Sequence, residues 1–435
     1  MRHPVVPATL ALSVTAITSL TLPGVALAAT ANSVRFQLDF ENNCFTTEPV
    51  EPTDINIGGN GLSISITDLV VTLNPNVIPP DSALCEQYRE EEGPADEVAS
   101  DITPDEAPAQ NTLLVQQSTD QIRNVSQHLR SQRYQAQDGA NITYSPLDGY
   151  IGGAAGDTVQ LGRLSVFING SRVDGSQDNT AFEVGYDLET DHYTLGVDYR
   201  FSDDFIAGFA YGSSDTTLEY LEAQDQTEND TDHYILYGNW YRDNFSVDTV
   251  LGFARGEIDT LRDILGNNAI GNTDSDLTYF SIAGSYDIVS GSLTYGPLAS
   301  FDYVDGTIDS YSETNGGGWE AAFDEQDVKS QIFALGGDVA YAASFRWGVL
   351  IPHARAEWRT ELEDDRDLIV GRFVVDPASS FSITPDELDS SWYLLSAGVS
   401  AQFPHGIAVL LNYEEMLEYD DTDLSTATLG VRWEM

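Results

Sequence analysis

The sequence predicts an all-β protein, in which a 12-stranded antiparallel transmembrane β-barrel follows a lumenal α-helix and a small N-terminal β-rich domain. Three observations lead to this fold class. From residue 161 to the end, apolar and polar residues alternate with a period of two. Short and long connections alternate between the predicted strands. Beyond residue 28 there is no run of about eighteen apolar residues, so a membrane crossing has to be made by strands.

The alternation is clearest in Tyr193–Phe201, where every odd position is apolar or aromatic and every even position is small, polar or charged. Phe205–Tyr211, Phe245–Phe253 and Tyr393–Phe403 follow the same rule. One face of such a strand suits lipid and the other suits water. Aromatic residues next to the short turns are expected to form an interfacial girdle. They are Tyr199, Phe201, Phe205, Trp240, Tyr241, Phe245, Tyr286, Trp347 and Phe403.

The connections fall into two classes, as in outer-membrane barrels, which have short periplasmic turns and long outer loops. Counting the strands between these connections gives an even number, as closure of an antiparallel barrel requires. The first strand then begins, and the last strand ends, on the periplasmic side. A soluble β-sandwich also has alternating strands, but it does not explain this order of connections. The short turns are Ser202–Asp204, Arg242–Asn244, Val289–Gly291, Ala343–Phe345 and Pro404–Gly406. The longer acidic segments are Ser171–Thr190, Glu222–Asp232, Leu261–Thr273, Asp309–Gln326 and Glu363–Ser390, with a short one at Asp420–Asp423.

Residues 1–28 have the pattern of a secretory signal peptide. Arg2 precedes an apolar stretch, and Ala26-Leu27-Ala28 has the small residues of a cleavage site, so the mature chain is expected to begin near Ala29. A retained membrane helix is the weaker alternative because Pro7 and Pro23 interrupt the apolar stretch.

Residues 29–89 are predicted to form the small β-rich, passenger-like domain. Val34–Phe40 and Leu62–Ile66 alternate, and the signal peptide would deliver Cys44 and Cys85 to an oxidising compartment. We expect a disulfide between these cysteines; two reduced, buried thiols are the alternative. No histidine lies between them to suggest a metal site.

Residues 90–110 are rich in Glu, Asp, Pro and Ala and are predicted to be a linker. Residues 111–160 are expected to contain a helix and its connection to the barrel, which occupies residues 161–435. The helix is predicted over Asn111–Gln137, and its polar character suits a wet enclosure. An exposed helical linker is the alternative. The apolar positions that set its period are Leu114, Ile122, Val125 and Leu129.

The sequence gives no catalytic, cofactor-binding or metal-binding residues, and the protein is predicted not to be an enzyme. A formal charge of −51 argues against nucleic acid and against anionic membrane surfaces. No Gly-x-Ser-x-Gly elbow is found, and no histidine lies between Ala29 and Gln127, so a catalytic triad in this region is nearly excluded. The histidines of the mature chain are dispersed and fit ordinary surface or lumen positions. They are His128, His192, His233, His353 and His405.

Several charged residues at inward positions of the predicted strands are candidates for pairing with the helix. Such pairs would hold the helix in the lumen as a plug. If the charged side chains are unpaired, they would only line a water-filled pore. The strand residues are Asp198, Arg200, Asp248 and Arg432, and the helix residues are Arg123, Arg130 and Arg133.

Five segments together resemble the autotransporter β-domain. They are Leu164–Gly170, Leu195–Asp203, Tyr295–Ala299, Trp347–Pro352 and Arg372–Pro377. The resemblance implies a twelve-stranded barrel with a polar helix through its lumen, which carries an N-terminal passenger to the cell surface in type V secretion.

The last strand, Ala427–Met435, resembles the terminal signal that the barrel-assembly machinery reads in this family. Its outward positions are Leu429, Val431, Trp433 and Met435, and the family usually ends in an aromatic residue, from which Met435 departs. The resemblance also implies outer-membrane lipid, the assembly machinery and periplasmic chaperones as partners, and a monomeric barrel.

The leading hypothesis is an outer-membrane protein that anchors and displays a short N-terminal passenger outside the cell. Only about eighty residues separate the signal from the helix, and Asn141 is not part of an Asn-Asn pair at which some family members cut themselves. We therefore expect the passenger to stay attached, and we assign it no ligand. The alternative is a porin-like channel with a periplasmic N-terminal domain.

Overall fold

The computed structural model describes residues 55–56, 63–64, 83–88, 102–104, 106–137, 142–144, 151–153, 163–180, 183–221, 225–363, 366–378, 380–386 and 389–435. The predicted signal peptide lies outside the described residues. In the described part of the chain, no helix combines the length and the apolar character needed to cross a membrane.

Twelve long strands form a closed antiparallel barrel, as the sequence predicted. Each strand pairs with the next, and the last pairs with the first from Thr422 opposite Gln177 to Glu434 opposite Ser165. The strands are β1 (Leu164–Gln177), β2 (Tyr186–Ser202), β3 (Phe205–Tyr220), β4 (Gln226–Arg242), β5 (Phe245–Ile264), β6 (Asn267–Tyr286), β7 (Leu293–Ile308), β8 (Gln326–Tyr341), β9 (Gly348–Glu361), β10 (Ser391–Gln402), β11 (Ile407–Leu417) and β12 (Thr422–Glu434).

The period of two in the sequence becomes an apolar outer wall and a buried inner wall. In β2, Tyr193, Leu195 and Val197 point outward and are 60%, 54% and 41% exposed, while the residues between them are buried. Such a belt of exposed apolar side chains is what lipid requires. The predicted girdle residues next to the short turns are exposed apart from Tyr241, which is half-buried and accepts a hydrogen bond from Arg200.

The two ends of the barrel differ. At the short-turn end, adjacent strands are joined by tight connections. Two of these connections include short strands, Ile288–Ser290 and Ala343–Phe345, and a third includes the 3-10 turn Pro404–Gly406. Both the start of β1 and the end of β12 lie at this end. At the long-loop end, the connections before β8 and before β10 are long enough to form a sheet of their own.

The predicted loop Leu261–Thr273 is wrong. Strands β5 and β6, 20 residues each, continue through it and meet in a two-residue turn at Leu265 and Gly266, both with positive φ. Ser171–Thr190 is likewise mostly strand. Backbone hydrogen bonds of a ladder do not need apolar side chains, so strands that leave the lipid lose the sequence pattern without losing their pairing.

The helix α2 spans Ala107–Gln137 and lies inside the barrel. It begins four residues before the predicted start, within the segment predicted as linker, because Pro108 in the first turn is compatible with a helix N-terminus. Its first half contacts the long-loop end and its second half the short-turn end, as hydrogen bonds from Gln117 to Thr216 and from Arg133 to Asp248 show.

A small cap covers part of the long-loop end, next to the tips of β5 and β6. Its four-stranded sheet consists of Tyr311–Ser312, Ala321–Phe323, Ile369–Phe373 and Ser380–Ile383. The short helix α1 (Ala83–Tyr88) packs against it through Leu84, Cys85 and Tyr88, and Ile102 joins the same core. The sequence predicted only β structure for this part of residues 29–89, so α1 is a departure from the prediction.

The other described pieces are two short hairpins. Ile55–Asn56 pairs with Ser63–Ile64 within the predicted β-rich domain, and Ile142–Tyr144 pairs with Ile151–Gly153 between α2 and the barrel. Cys85 is fully buried in the cap, whereas Cys44 lies outside the described residues, so the disulfide remains a prediction.

Candidate functional site

The candidate site is the lumen, where one polar stripe of α2 faces strands β1 to β5. Near the long-loop end, Gln117 Nε2 donates to Thr216 Oγ1 at 2.7 Å, and its Oε1 accepts from Thr231 Oγ1 at 3.0 Å. One turn further, Thr194 Oγ1 donates to Gln121 Oε1 at 2.8 Å. Asn124 Nδ2 donates to Ser171 Oγ at 3.1 Å.

Asp120 is part of a buried chain of polar groups. Its Oδ2 lies 3.1 Å from His192 Nε2, and His192 Nδ1 lies 2.7 Å from Ser214 Oγ. Ser214 Oγ is also 3.0 Å from Nε2 of His233. A hydroxyl, an imidazole and a carboxylate in series are the parts of a nucleophilic triad. Here the serine is shared between two imidazoles, and all four side chains are at most 2% exposed. We therefore interpret this series of polar contacts as one that holds α2 against the wall.

A second buried cluster forms nearer the short-turn end around Asp198. His128 Nε2 lies 2.8 Å from Asp198 Oδ2, and Gln132 Nε2 donates to Oδ1 at 3.0 Å. The ring of Phe167 stacks on His128 with 3.7 Å between ring centroids. That ring lies over Gly196, where a Cβ would come within 2.2 Å of it, so glycine is what lets the aromatic ring and the helix lie there.

Arg133 and Asp248 form the last anchor. Arg133 Nη1 lies 3.0 Å from Asp248 Oδ2 and also donates to Ser246 Oγ. Asn239 donates to the other carboxylate oxygen. Both members of the ion pair have side chains that are 5% exposed, and this pairing of helix and wall is one of several for which the sequence offered candidates.

The other predicted lumen charges have different partners. Arg123 pairs with Asp120 of its own helix and with Glu414 at 3.5 Å. Arg200 donates to the hydroxyl of Tyr241 at 2.7 Å, and Arg432 pairs with Glu434 at 3.2 Å. These two arginines therefore pair with the wall itself.

The apolar stripe of α2 completes the seat. Leu114, Ile122, Val125 and Leu129, the residues that predicted the helix, are at most 3% exposed and pack in one cluster with wall residues. Buried polar groups are costly unless they are hydrogen-bonded, and here most have partners on the facing strands. The arrangement gives the helix one depth and one rotation in the lumen.

Above the lumen, the cap and the loops bind the chain that precedes α2. Arg262 pairs with Glu313 at 2.7 Å and donates through Nη1 to the carbonyl of Ile102 at 3.2 Å. Burial opposes the charge of Arg262, but Glu313 outweighs burial and holds the pKa of the guanidinium above its usual value. Tyr220 donates to the carbonyl of Glu106 at 3.1 Å.

The start of α2 is tied to the loops by Arg366. Its Nη2 donates to the carbonyl of Pro108 at 3.3 Å and to Thr112 Oγ1 at 3.0 Å, and its Nη1 lies 3.2 Å from Glu183. Burial raises the pKa of Glu183, and Arg366 and the backbone N–H of Asp386 offset only part of that effect.

The predicted terminal signal lies on the outer wall. Leu429, Val431, Trp433 and Met435 are 56%, 41%, 52% and 50% exposed, and the N–H of Met435 still bonds to the carbonyl of Leu164 at 2.9 Å. Within the residues that the structure describes, no group of three or more His, Cys, Asp or Glu side chains is placed to hold a metal ion.

The autotransporter beta-domain model matches residues 166–414, which is more than half of the chain. The chain belongs to the autotransporter family. The barrel of this autotransporter is accordingly an outer-membrane barrel. No curated protein sequence matches the chain.

A solved autotransporter structure shares the fold. The chain is similar to the translocator domain of the autotransporter NalP from Neisseria meningitidis, with a TM-score of 0.51, 13% identity, and coverage of 62% of this chain and 88% of that one. It also matches the beta domain of the Bordetella autotransporter Brka, with a TM-score of 0.48, 15% identity, and coverage of 63% and 100%. At these identities the first likeness shows the fold alone, and the second adds nothing to it.

Sequence reasoning missed most of the residues through which this autotransporter seats its helix. Gln117, Asp120, Asn124, His128 and Gln132 are three or four residues apart and form a polar stripe, but a helical period is most easily recognised from apolar residues. The alternating pattern of the sequence places Asp198 on the inward face of its strand. Its pairing with a histidine rather than an arginine depends on the depth and rotation of the helix, which the pattern does not give.

Proposed function

We propose that this autotransporter anchors and displays its own short N-terminal segment at the cell surface, with α2 as the tether through the barrel. The direction of α2 carries the proposal: its N-terminus is at the long-loop end, and long loops face outward in outer-membrane barrels. The chain before Ala107 therefore emerges on the outer side.

The contacts of that chain favour a segment that stays attached. Leu84, Tyr88 and Ile102 share a core with the cap, and Arg262 holds the carbonyl of Ile102. A disulfide between Cys44 and Cys85 would fasten the preceding residues to α1. We also propose that the outward side chains of β12 are the signal for the barrel-assembly machinery.

Surface display is tested with an epitope inserted after Ala31 and detected by antibody on intact cells. We expect equal labelling of intact and permeabilised cells, because the inserted epitope would lie outside. A periplasmic protein that is labelled only after permeabilisation serves as the control. Labelling of the epitope that requires permeabilisation would contradict display.

A further inference from the structure

A cavity of about 640 Å³ opens at the long-loop end between α2 and the part of the wall formed by strands β8 to β12, β1 and β2. Small-molecule sites have volumes of about 300–1,000 Å³. The helix contributes Asn111, Val115 and Thr119 to its lining. Its floor is formed by Arg123 and Arg359, which also line a cavity of about 30 Å³ beneath it. The larger cavity is thus a vestibule that narrows sharply at these arginines.

The inner wall of the vestibule is apolar and aromatic. Trp392 meets Tyr419 edge to face, with 5.2 Å between ring centroids, and Tyr186, Leu188 and Met416 lie on the same lining. The faces of tryptophan and tyrosine rings attract cations, most strongly where water is excluded.

The rim carries an excess of negative charge. Nine carboxylates and four basic side chains line the vestibule. The basic side chains already have acidic partners: Arg366 pairs with Glu183, Lys329 with Asp327 and Asp367, and Arg359 and Arg123 with acids outside the lining.

Four rim carboxylates, from the two loops that flank β10 and β11, have no basic side chain within ion-pair distance among the described residues. They are Asp386, Asp389, Asp420 and Asp421. Burial raises the pKa values of Asp386 and Asp389, and the negative charge of Asp421 raises both further. A cation near these groups would relieve that repulsion.

One buried acceptor on the helix also lacks a partner. Asn111 is 9% exposed and lines the vestibule, and its Oδ1 has no hydrogen-bond partner in the part of the chain that the structure describes. A buried acceptor without a donor costs free energy, and an N–H from a bound molecule would satisfy it.

We propose that the vestibule binds an organic cation, with an ammonium group toward the carboxylates and Asn111 and an apolar or aromatic body against Trp392 and Tyr186. The three features are complementary to different parts of one molecule. A metal ion would not use the apolar wall, and a neutral apolar molecule would not use the carboxylates.

The test is isothermal titration of the full chain in lipid nanodiscs with 2-phenylethylammonium. Its N-acetyl derivative and 3-phenylpropanoate are the neutral and anionic probes. We expect the cation to bind about tenfold more tightly than the neutral probe, and no detectable binding of the anion.

Three variants locate the site. The double variant Asp386→Asn/Asp389→Asn keeps side-chain volume and should weaken cation binding about tenfold, Asn111→Leu should weaken it severalfold, and Met416→Trp should abolish it by filling the cavity. The double variant Asp274→Asn/Asp305→Asn removes two exposed carboxylates from the outer wall and should change nothing.

Each other outcome overturns the proposal. Equal affinity for the cation and its neutral derivative would mean a merely apolar cavity. Binding that survives both the Met416→Trp change and the loss of the two rim carboxylates would mean adsorption elsewhere. No binding of the cation at millimolar concentration would mean that the vestibule takes no such ligand. Gel migration before and after heating confirms that each variant is a folded barrel.

Discussion

Arg133 and Asp248 show how single charged residues hold the helix in place. Both are buried, and their ion pair is completed by hydrogen bonds from Asn239 and to Ser246. A buried pair adds little net stability relative to apolar replacements, but removal of one member leaves an uncompensated charge. The pair therefore selects one position of α2 over others.

Replacement of Asp248 by alanine should strongly destabilise the folded barrel. The change leaves the Arg133 guanidinium buried without its carboxylate, which costs about 3–5 kcal/mol. Urea unfolding of the protein in lipid vesicles measures the loss. The double variant Arg133→Met/Asp248→Leu should recover most of it, because both charges are removed.

The exposed pair of Arg255 and Asp276 provides the matched control. Its atoms are 2.8 Å apart, but the side chains are 75% and 61% exposed, so Asp276→Ala should destabilise the barrel far less than Asp248→Ala does. Equal losses for Asp248→Ala and Asp276→Ala would contradict a water-excluded anchor in the lumen.

For single residues, the sequence predicts which face of the barrel wall a side chain occupies better than it predicts which side chain it contacts. Alternation placed Asp198 and Asp248 on the inner wall, and the structure confirms both positions. Partners depend on which turn of the helix lies opposite which strand, and no local pattern encodes that depth. The contact of Phe167 over Gly196 is equally invisible in sequence, because it joins two strands by register.

Among the elements, the loop between β1 and β2 should be sensitive to the protonation state of Glu183. Glu183 is buried, and its pKa is raised chiefly by that burial. A carboxyl group with a raised folded-state pKa stabilises the folded loop fully below its unfolded-state pKa, and this contribution is lost as the pH rises through the folded-state value.

Hydrogen exchange of the backbone near Glu183, corrected for intrinsic rates, should show less protection at pH 7.5 than at pH 5. Glu183→Gln should abolish the difference, because the amide stays neutral at both values. Glu189→Gln, on the exposed outer face of β2, should keep it. A pH effect that is unchanged in Glu183→Gln would rule out this carboxyl as its source.

The length of each element was harder to predict than its type. Helix α2 was recognised from its apolar stripe, but its first turn lies in a Pro- and Ala-rich segment that has the composition of a linker. Strands β5 and β6 are longer than predicted because the outward positions of their outer halves are mostly polar, as at Arg255, Glu257 and Asp259, and so lack the lipid-facing pattern. The cap sheet was missed for another reason, since its strands have only two to five residues and form by contact with α1 and Ile102.

For the whole molecule, the barrel was predictable because lipid imposes a rule on every strand at once. Twelve strands, alternation and short turns on one side follow from the solvent around the barrel. What fills the barrel follows from contacts specific to this chain. Beneath the vestibule, two cavities of about 20 and 30 Å³ lie beside the network from Gln117 to Arg133, and each has room for about a water molecule.

The central claim is that this autotransporter's barrel is closed by its own helix. Ion conductance across planar bilayers tests it most directly, with the full chain compared with a variant that lacks Ala107–Gln137. The full chain should conduct weakly, and the deletion should raise conductance by about tenfold or more, because a water-filled lumen is opened. A full chain that already conducts as well as the deletion variant would contradict the claim and favour a porin-like channel.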